Sequence, residues 1–117
     1  MINGVHALIY TKDAEKDRLF FRDVLGFPHI DSGDGWLIFA LPPTEMGVHP
    51  VMEGGREMHE LYLMCDDVKK TVAELKAKGV TFTQEISDRG WGLVTGIKLP
   101  SGGELGLYEP RHPRANK

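Results

Sequence analysis

One ionisable residue, His6, sits inside the apolar run VHALIY at residues 5–10. An imidazole in a strand core is costly unless something satisfies it. A backbone carbonyl, a carboxylate or a metal ion would each do so. A second apolar run, ELYLMC at residues 60–65, carries a carboxylate at its start, Glu60. Two further groups lie near the ends of the two halves of the chain. His49 stands in MGVHP, and Glu104 in the glycine-rich turn SGGEL. Imidazoles and carboxylates together can move protons or hold a cation. The bland readings stay open beside these: a buried neutral His6 on a backbone carbonyl, a metal-free His6–Glu60 pair, an exposed His49 before Pro50, and a solvated Glu104.

The elements that must position these groups come in two similar sets. When Asp13 is superimposed on Asp67, Phe21 falls on Leu75, Gly26 meets Gly79 within one residue, and His6 falls on Glu60. The likeness continues from WLIFALP to WGLVTGIKLP, and from EMGVHP to ELGLYEP. Internal repetition of this kind bears on the whole fold. Each half reads as a strand, a helix and about three more strands. VHALIY and ELYLMC are short and rich in strand formers. Asp13 and Asp67 suit helix N-caps, where an acid also complements the helix dipole. Phe20 and Val24, Phe21 and Leu25, and the set Val68, Val72 and Leu75 recur at helical spacing. Gly26 and Gly79 suit the ends of those helices. The spacing predicts one domain over 1–117, with repeats at about 4–52 and 57–110 and a loose tail at 111–117 that contains His112.

Composition bounds the partners. At 41% apolar and 26% charged, the chain is a globular domain and not a disordered one. Its net charge of −3, with no basic stripe, points away from nucleic acid. No apolar run approaches the length of a membrane span, and the start MINGVHALIY lacks the pattern of a signal peptide. One cysteine, Cys65, excludes an internal disulfide and suits a reduced core thiol. These features predict a cytoplasmic protein that contacts neither nucleic acid nor membrane.

The pattern resembles the vicinal oxygen chelate superfamily, which contains glyoxalases, bleomycin resistance proteins and extradiol dioxygenases. The residues that carry the resemblance are His6, Asp13 seven residues on, Phe20-Phe21 and Leu25-Gly26-Phe27, then CDDV, AELKAKGV and LYEP in the second half. The resemblance implies an α+β fold: two βαβββ modules form a curled mixed sheet, a cup or half-barrel, with helices outside. It also implies a divalent metal in the cup, with ligands from the first and last strands of each module. A curled open sheet of this kind leaves edges and an apolar face to cover, so a homodimer is expected.

Carried over residue by residue, the first-strand ligand positions hold His6 and Glu60. His59, one residue out of register, would point the other way in a strand. The family's last-strand glutamate, just before LYEP, is replaced by Gly106. In the first module Gly47 takes the matching position, and His49 shares its face. The implied metal set is therefore His6, His49 and Glu60, which suits iron(II), zinc, nickel, cobalt or manganese. Glu60 and Glu104 are the candidate catalytic acid–base groups. If strands alternate, Tyr10, Tyr62, Met64 and Tyr108 line the cup as substrate contacts. Trp36 and Trp91 read as core or dimer contacts. Arg22, Arg56 and Arg89 could capture an anion, with nothing to select among them.

Three functions follow. The first is a metal-dependent enzyme, a lyase or dioxygenase acting on a small oxygen-rich substrate chelated to the metal. The second is a metal-free binder of small molecules, like the bleomycin-resistance proteins. A ferredoxin-like interaction domain is a third, although too many strands follow each helix for that pattern.

Overall fold

Two aspartates start the two helices. The side chain of Asp13 accepts a hydrogen bond from the Lys16 amide at 3.1 Å, ahead of α1 (Ala14–Asp23). Asp67 does the same for the Lys70 amide at 3.1 Å, ahead of α2 (Val68–Ala77). Gly79, at φ +86°, ends α2: its amide donates to the Lys76 carbonyl, and the Val80 amide to Leu75, a paired closure that needs a left-handed residue. The computed structural model describes Met1, Asn3 and residues 5–116. Gly4 and Lys117, at the outer limits of the first repeat and of the tail, lie outside the described residues.

The remaining elements form two sheets, neither of which closes. β1 (His29–Asp31) and β2 (Leu37–Phe39) make an antiparallel hairpin. β3 (Tyr62–Met64), β4 (Thr81–Asp88), β5 (Gly92–Lys98) and β6 (Glu104–Pro110) form a mixed sheet in the order β3-β6-β5-β4. β3 runs parallel to β6, and the other neighbours are antiparallel. The core lies on one face of this sheet, where Ile97, Leu105 and Leu107 meet Val68 of α2 and Phe20 of α1. Leu61, Leu63 and Cys65 pack against it. Burial, more than the Glu109, Asp66 and Asp67 carboxylates, pushes the Cys65 thiol up and keeps it protonated and inert. No helix among the described residues is long and apolar enough to cross a membrane.

The fold is α+β, as expected, but its two halves are built unequally. The second half holds strand, helix and three strands. The first holds a helix and a hairpin. VHALIY and MGVHP, both expected as strands, form none. The reason lies in the partner and not in the propensity. β3 is held by a ladder to β6, and the Cys65 amide continues it by donating to the Tyr108 carbonyl at 3.0 Å. Residues 5–10 and 46–50 make no such ladder within the described chain. Their apolar side chains stay in the open, with Val5 87% exposed, Leu8 66%, Met46 86% and Val48 90%. His6 is exposed with them, so no burial has to be offset there.

The first half is tied to the second by a buried carboxylate. Asp17 on α1 is 3% exposed. It accepts hydrogen bonds from the Thr11 hydroxyl (2.7 Å), the Ser101 hydroxyl (2.7 Å) and the Ser101 amide (3.0 Å). Ser101 lies in the turn between β5 and β6, so one side chain fixes α1 to the far end of the large sheet. Asp17→Ala leaves three donors without their acceptor and is expected to cost roughly 3 kcal/mol. Asp17→Asn, which keeps an acceptor oxygen, should cost less. Urea unfolding of both variants checks this, and wild-type stability in Asp17→Ala would show that the bonds do not matter.

Candidate functional site

The face of the large sheet opposite the core is set by alternation. Leu63, Leu105 and Leu107 go into the core, so Tyr62, Met64, Gly106 and Tyr108 stand on the other side. The register places Tyr62 opposite Gly106 and Met64 opposite Tyr108. On β5, Gly96 stands opposite Gly106, and Gly92 opposite Pro110.

Glycine makes this face what it is. A Cβ on Gly106 would run into the Tyr62 ring. One on Gly92 would lie 2.7 Å from the Tyr108 ring, and one on Gly96 would meet the Glu104 carboxylate at 2.6 Å. The missing side chains let the neighbouring ones lie down across the strands. Tyr62, Trp91 and Tyr108 consequently form an edge-to-face cluster, with ring centroids 6.1 Å (Tyr62–Trp91), 5.7 Å (Tyr62–Tyr108) and 5.2 Å (Trp91–Tyr108) apart. Trp91 is still 43% exposed.

Beside Tyr62 opens a cavity of about 360 Å³. Leu8, Ile9 and Tyr10 line it from the N-terminal segment, Glu60 from the residues that lead into β3, Tyr62 from β3 and Glu104 from β6. The Tyr62 hydroxyl donates to Glu60 Oε2 at 3.4 Å, and the Thr83 hydroxyl donates to Glu104 Oε2. Burial, and then the Glu60 carboxylate, pushes the Tyr62 phenol up. Burial, and then Glu45, does the same for Tyr108. Both phenols therefore remain hydrogen-bond donors at neutral pH. A second hollow of about 280 Å³, between α1 and the β4–β5 end of the sheet, is lined by Phe20, Val80, Leu99 and two lysines, and has no imidazole or carboxylate to do chemistry.

The structure brings some of the anticipated residues together and separates others. Glu60, Glu104, Tyr10 and Tyr62 line the large cavity. Met64 and Tyr108 share its sheet face, further along the strands. His6 and His49 do not line it. His49 is exposed, and its Nδ1 lies 2.6 Å from the Pro50 carbonyl oxygen. Among the described residues, no three His, Cys, Asp or Glu side chains come close enough to hold a metal ion. The set His6, His49 and Glu60 is thus not gathered within one chain, and at Gly106 the Tyr62 ring fills the space beside the strand. A metal does not fit these residues as one chain arranges them.

Sequence reasoning missed the part played by Trp91 and by the tail. Residues 111–116, expected to be loose, are tied down. The Arg111 amide donates to the Trp91 carbonyl at 2.9 Å, and His112 Nε2 lies 3.0 Å from the Tyr108 hydroxyl. Glu45 accepts bonds from the Ala115 and Asn116 amides, the latter at 3.2 Å, and pairs with Arg114 at 3.5 Å. The only signal in the sequence was spacing: His112 follows Tyr108 by four residues, close enough to fold back on it. Burial would raise the Glu45 carboxyl, but the Asn116 and Ala115 amides and then Arg114 outweigh it and hold the group below the usual carboxylate range. A lowered folded value stabilises the docked tail above the unfolded pKa of about 4.3 and loses that stabilisation as pH falls through the folded value. The protection of amides 115 and 116, measured against their intrinsic exchange rates, should therefore be lost only in acid. In Glu45→Gln it should already be lost at pH 7, and unchanged protection there would show that the carboxylate does not hold the tail.

Comparison with known proteins gives a consistent picture. The family model described as Glyoxalase/Bleomycin resistance protein/Dioxygenase superfamily matches residues 5–110. A manganese-dependent 2,3-dihydroxybiphenyl 1,2-dioxygenase from Geobacillus genomosp. 3 is 27% identical over 123 residues, which cover 96% of this chain; the chain spans 39% of that relative's length. Among solved structures, TnmS3, an antibiotic binding protein from Streptomyces sp. CB03234, superimposes with a TM-score of 0.67 at 24% identity, covering 93% of this chain and 97% of that one. A superfamily member from Sphaerobacter thermophilus DSM 20745 gives 0.63 at 26% identity, covering 92% and 98%. A lactoylglutathione lyase from Agrobacterium tumefaciens gives 0.63 at 14% identity, covering 92% of each chain.

Proposed function

The chain belongs to the Glyoxalase/Bleomycin resistance protein/Dioxygenase superfamily, and from that premise we propose that it binds a small, planar organic molecule on the open face of its large sheet, without a metal. The fold does not choose the activity, since lyases and binding proteins share it. The residues must choose. The observation that carries this reading is the Tyr62 ring lying over Gly106. At the position where the resemblance implies a ligand carboxylate, this chain offers an aromatic surface. Tyr62, Trp91 and Tyr108 present ring edges and faces to a planar guest, and the Tyr62 and Tyr108 hydroxyls can donate to its oxygens. Tyr10 and Met64 complete the apolar lining.

A second reading keeps the metal-dependent enzyme, because the curated relative is named as a manganese-dependent dioxygenase. A bound divalent metal would supply Lewis acidity to a chelating diol. That reading requires the ligand set His6, His49 and Glu60 to be assembled by something more than one chain.

One titration separates the two readings. 2,3-Dihydroxybiphenyl is added to the Trp36→Phe variant, so that fluorescence reports Trp91, once in EDTA and once in manganese(II). Binding that is equal in both, with no oxygen uptake, is the expected result. Binding that appears only with manganese, or ring cleavage with oxygen consumption, would establish the enzyme instead.

A homodimer is part of the same proposal. The exposed apolar side chains of residues 5–10 and 46–52 have strand-forming sequences and no ladder partner in their own chain. Sedimentation at micromolar concentration is expected to give about twice 13.1 kDa. A lone 13.1 kDa species would refute the pairing.

A further inference from the structure

Two carboxylates line the cavity beside Tyr62, and neither is neutralised. The partner of Glu60 is the Tyr62 hydroxyl, and that of Glu104 is the Thr83 hydroxyl. Both donors are uncharged. The ion pairs among the described residues lie elsewhere, at Asp13, Asp23, Glu109 and Glu45. Lys98 stands opposite Glu104 in the β5–β6 ladder but makes no ion pair with it. Arg89, the cation that acts on Tyr62, directs its Nε to the Ser87 hydroxyl at 2.9 Å. His59 and Gln84 complete the polar lining, and no lysine or arginine among the described residues lines the cavity.

The two acids act on a common point. Glu60 accepts the Tyr62 hydroxyl, and the Glu104 carboxylate lies over Gly96, opposite the Gly106 that the Tyr62 ring covers, so the ring has an acid on either side. An aromatic ring flanked by two unpaired carboxylates attracts positive charge twice over. The carboxylates offer charge-assisted hydrogen bonds to an N–H donor, and the ring offers its negative face.

We infer that the cavity selects planar ligands that carry a positive charge: a ring placed against Tyr62, with a protonated amine or guanidinium between Glu60 and Glu104. This rests on the metal-free planar-ligand reading and adds to it a chemical class of ligand. Because both carboxylates are partly in water, the preference is moderate and weakens with salt.

Three probes with one ring test it: indole, tryptamine and indole-3-acetate, titrated into the full chain in EDTA and followed by amide chemical shifts. Tryptamine should bind roughly tenfold tighter than indole-3-acetate at low ionic strength, as expected for two exposed charge contacts. The gap should close to about twofold in the Glu60→Gln, Glu104→Gln double variant. It should also narrow in wild type on going from about 20 mM to about 500 mM salt, a measurement that needs no variant. Indole-3-acetate binding as tightly as tryptamine, or a gap that survives the double substitution, would overturn the inference while leaving the planar-ligand reading in place. If none of the three probes binds, that reading falls, and this inference with it.

Discussion

In the parallel ladder between β3 and β6, Leu63 stands opposite Leu107 and both side chains enter the core. That pairing decides the open face. A slip of one residue would turn Leu61, Leu63 and Cys65 out of the core and drive Tyr62 and Met64 into it. Each displaced leucine alone is worth roughly 1.5–3 kcal/mol, so the register is firmly held. Two further bonds set it from the ends of the strands. Glu109 on β6 accepts the Val68 amide at the start of α2 at 3.0 Å, and the Cys65 amide donates to Tyr108. Once the core face is fixed, Tyr62 has only one place to lie, over Gly106. The aromatic cluster, the cavity and the position of Glu60 then follow.

The first half of the chain depends on a different kind of contact. It places Phe20 in the common core, but it shares no ladder with the large sheet. Polar links must therefore orient it. Asp17 reaches across to Ser101, and Glu45 is gripped by the tail that leaves β6. Both are carboxylates that receive backbone amides from the second half. Such bonds have directional geometry, which apolar contact lacks. The tail also passes His112 to the Tyr108 hydroxyl, so the link between the halves ends on a ring of the candidate site.

What could be read from the sequence was local. Asp13 and Asp67 are caps wherever a helix begins, and Gly79 closes α2 because its backbone takes a positive φ. Alternation in LYLM and LGLY was enough to put Tyr62, Met64 and Tyr108 on one face, since both runs have core-facing leucines between them. What failed was whatever depended on a distant partner. VHALIY has the composition of a strand and lacks a ladder, and composition cannot report that. Asp17 looks like an ordinary first-turn acid until Ser101, 84 residues away in sequence, arrives to meet it. Trp91 read as packing, and only the third dimension sets it edge-on to Tyr108.

Gly106 shows why a departure from a family pattern must be read through its surroundings. As a letter in the sequence it is a missing carboxylate. In the sheet it is room, taken up by the Tyr62 ring from the next strand. Gly92 makes similar room for Tyr108, and Gly96 for Glu104 and Thr83. Three glycines on two adjacent strands thus hold four neighbouring side chains close against the backbone. Restoring a carboxylate at position 106 alone would not restore a metal site, because its Cβ would first have to expel a ring that packs on Trp91 and Tyr108. The three glycines and the aromatic cluster depend on one another, and a return to a ligand-bearing face would have to change both.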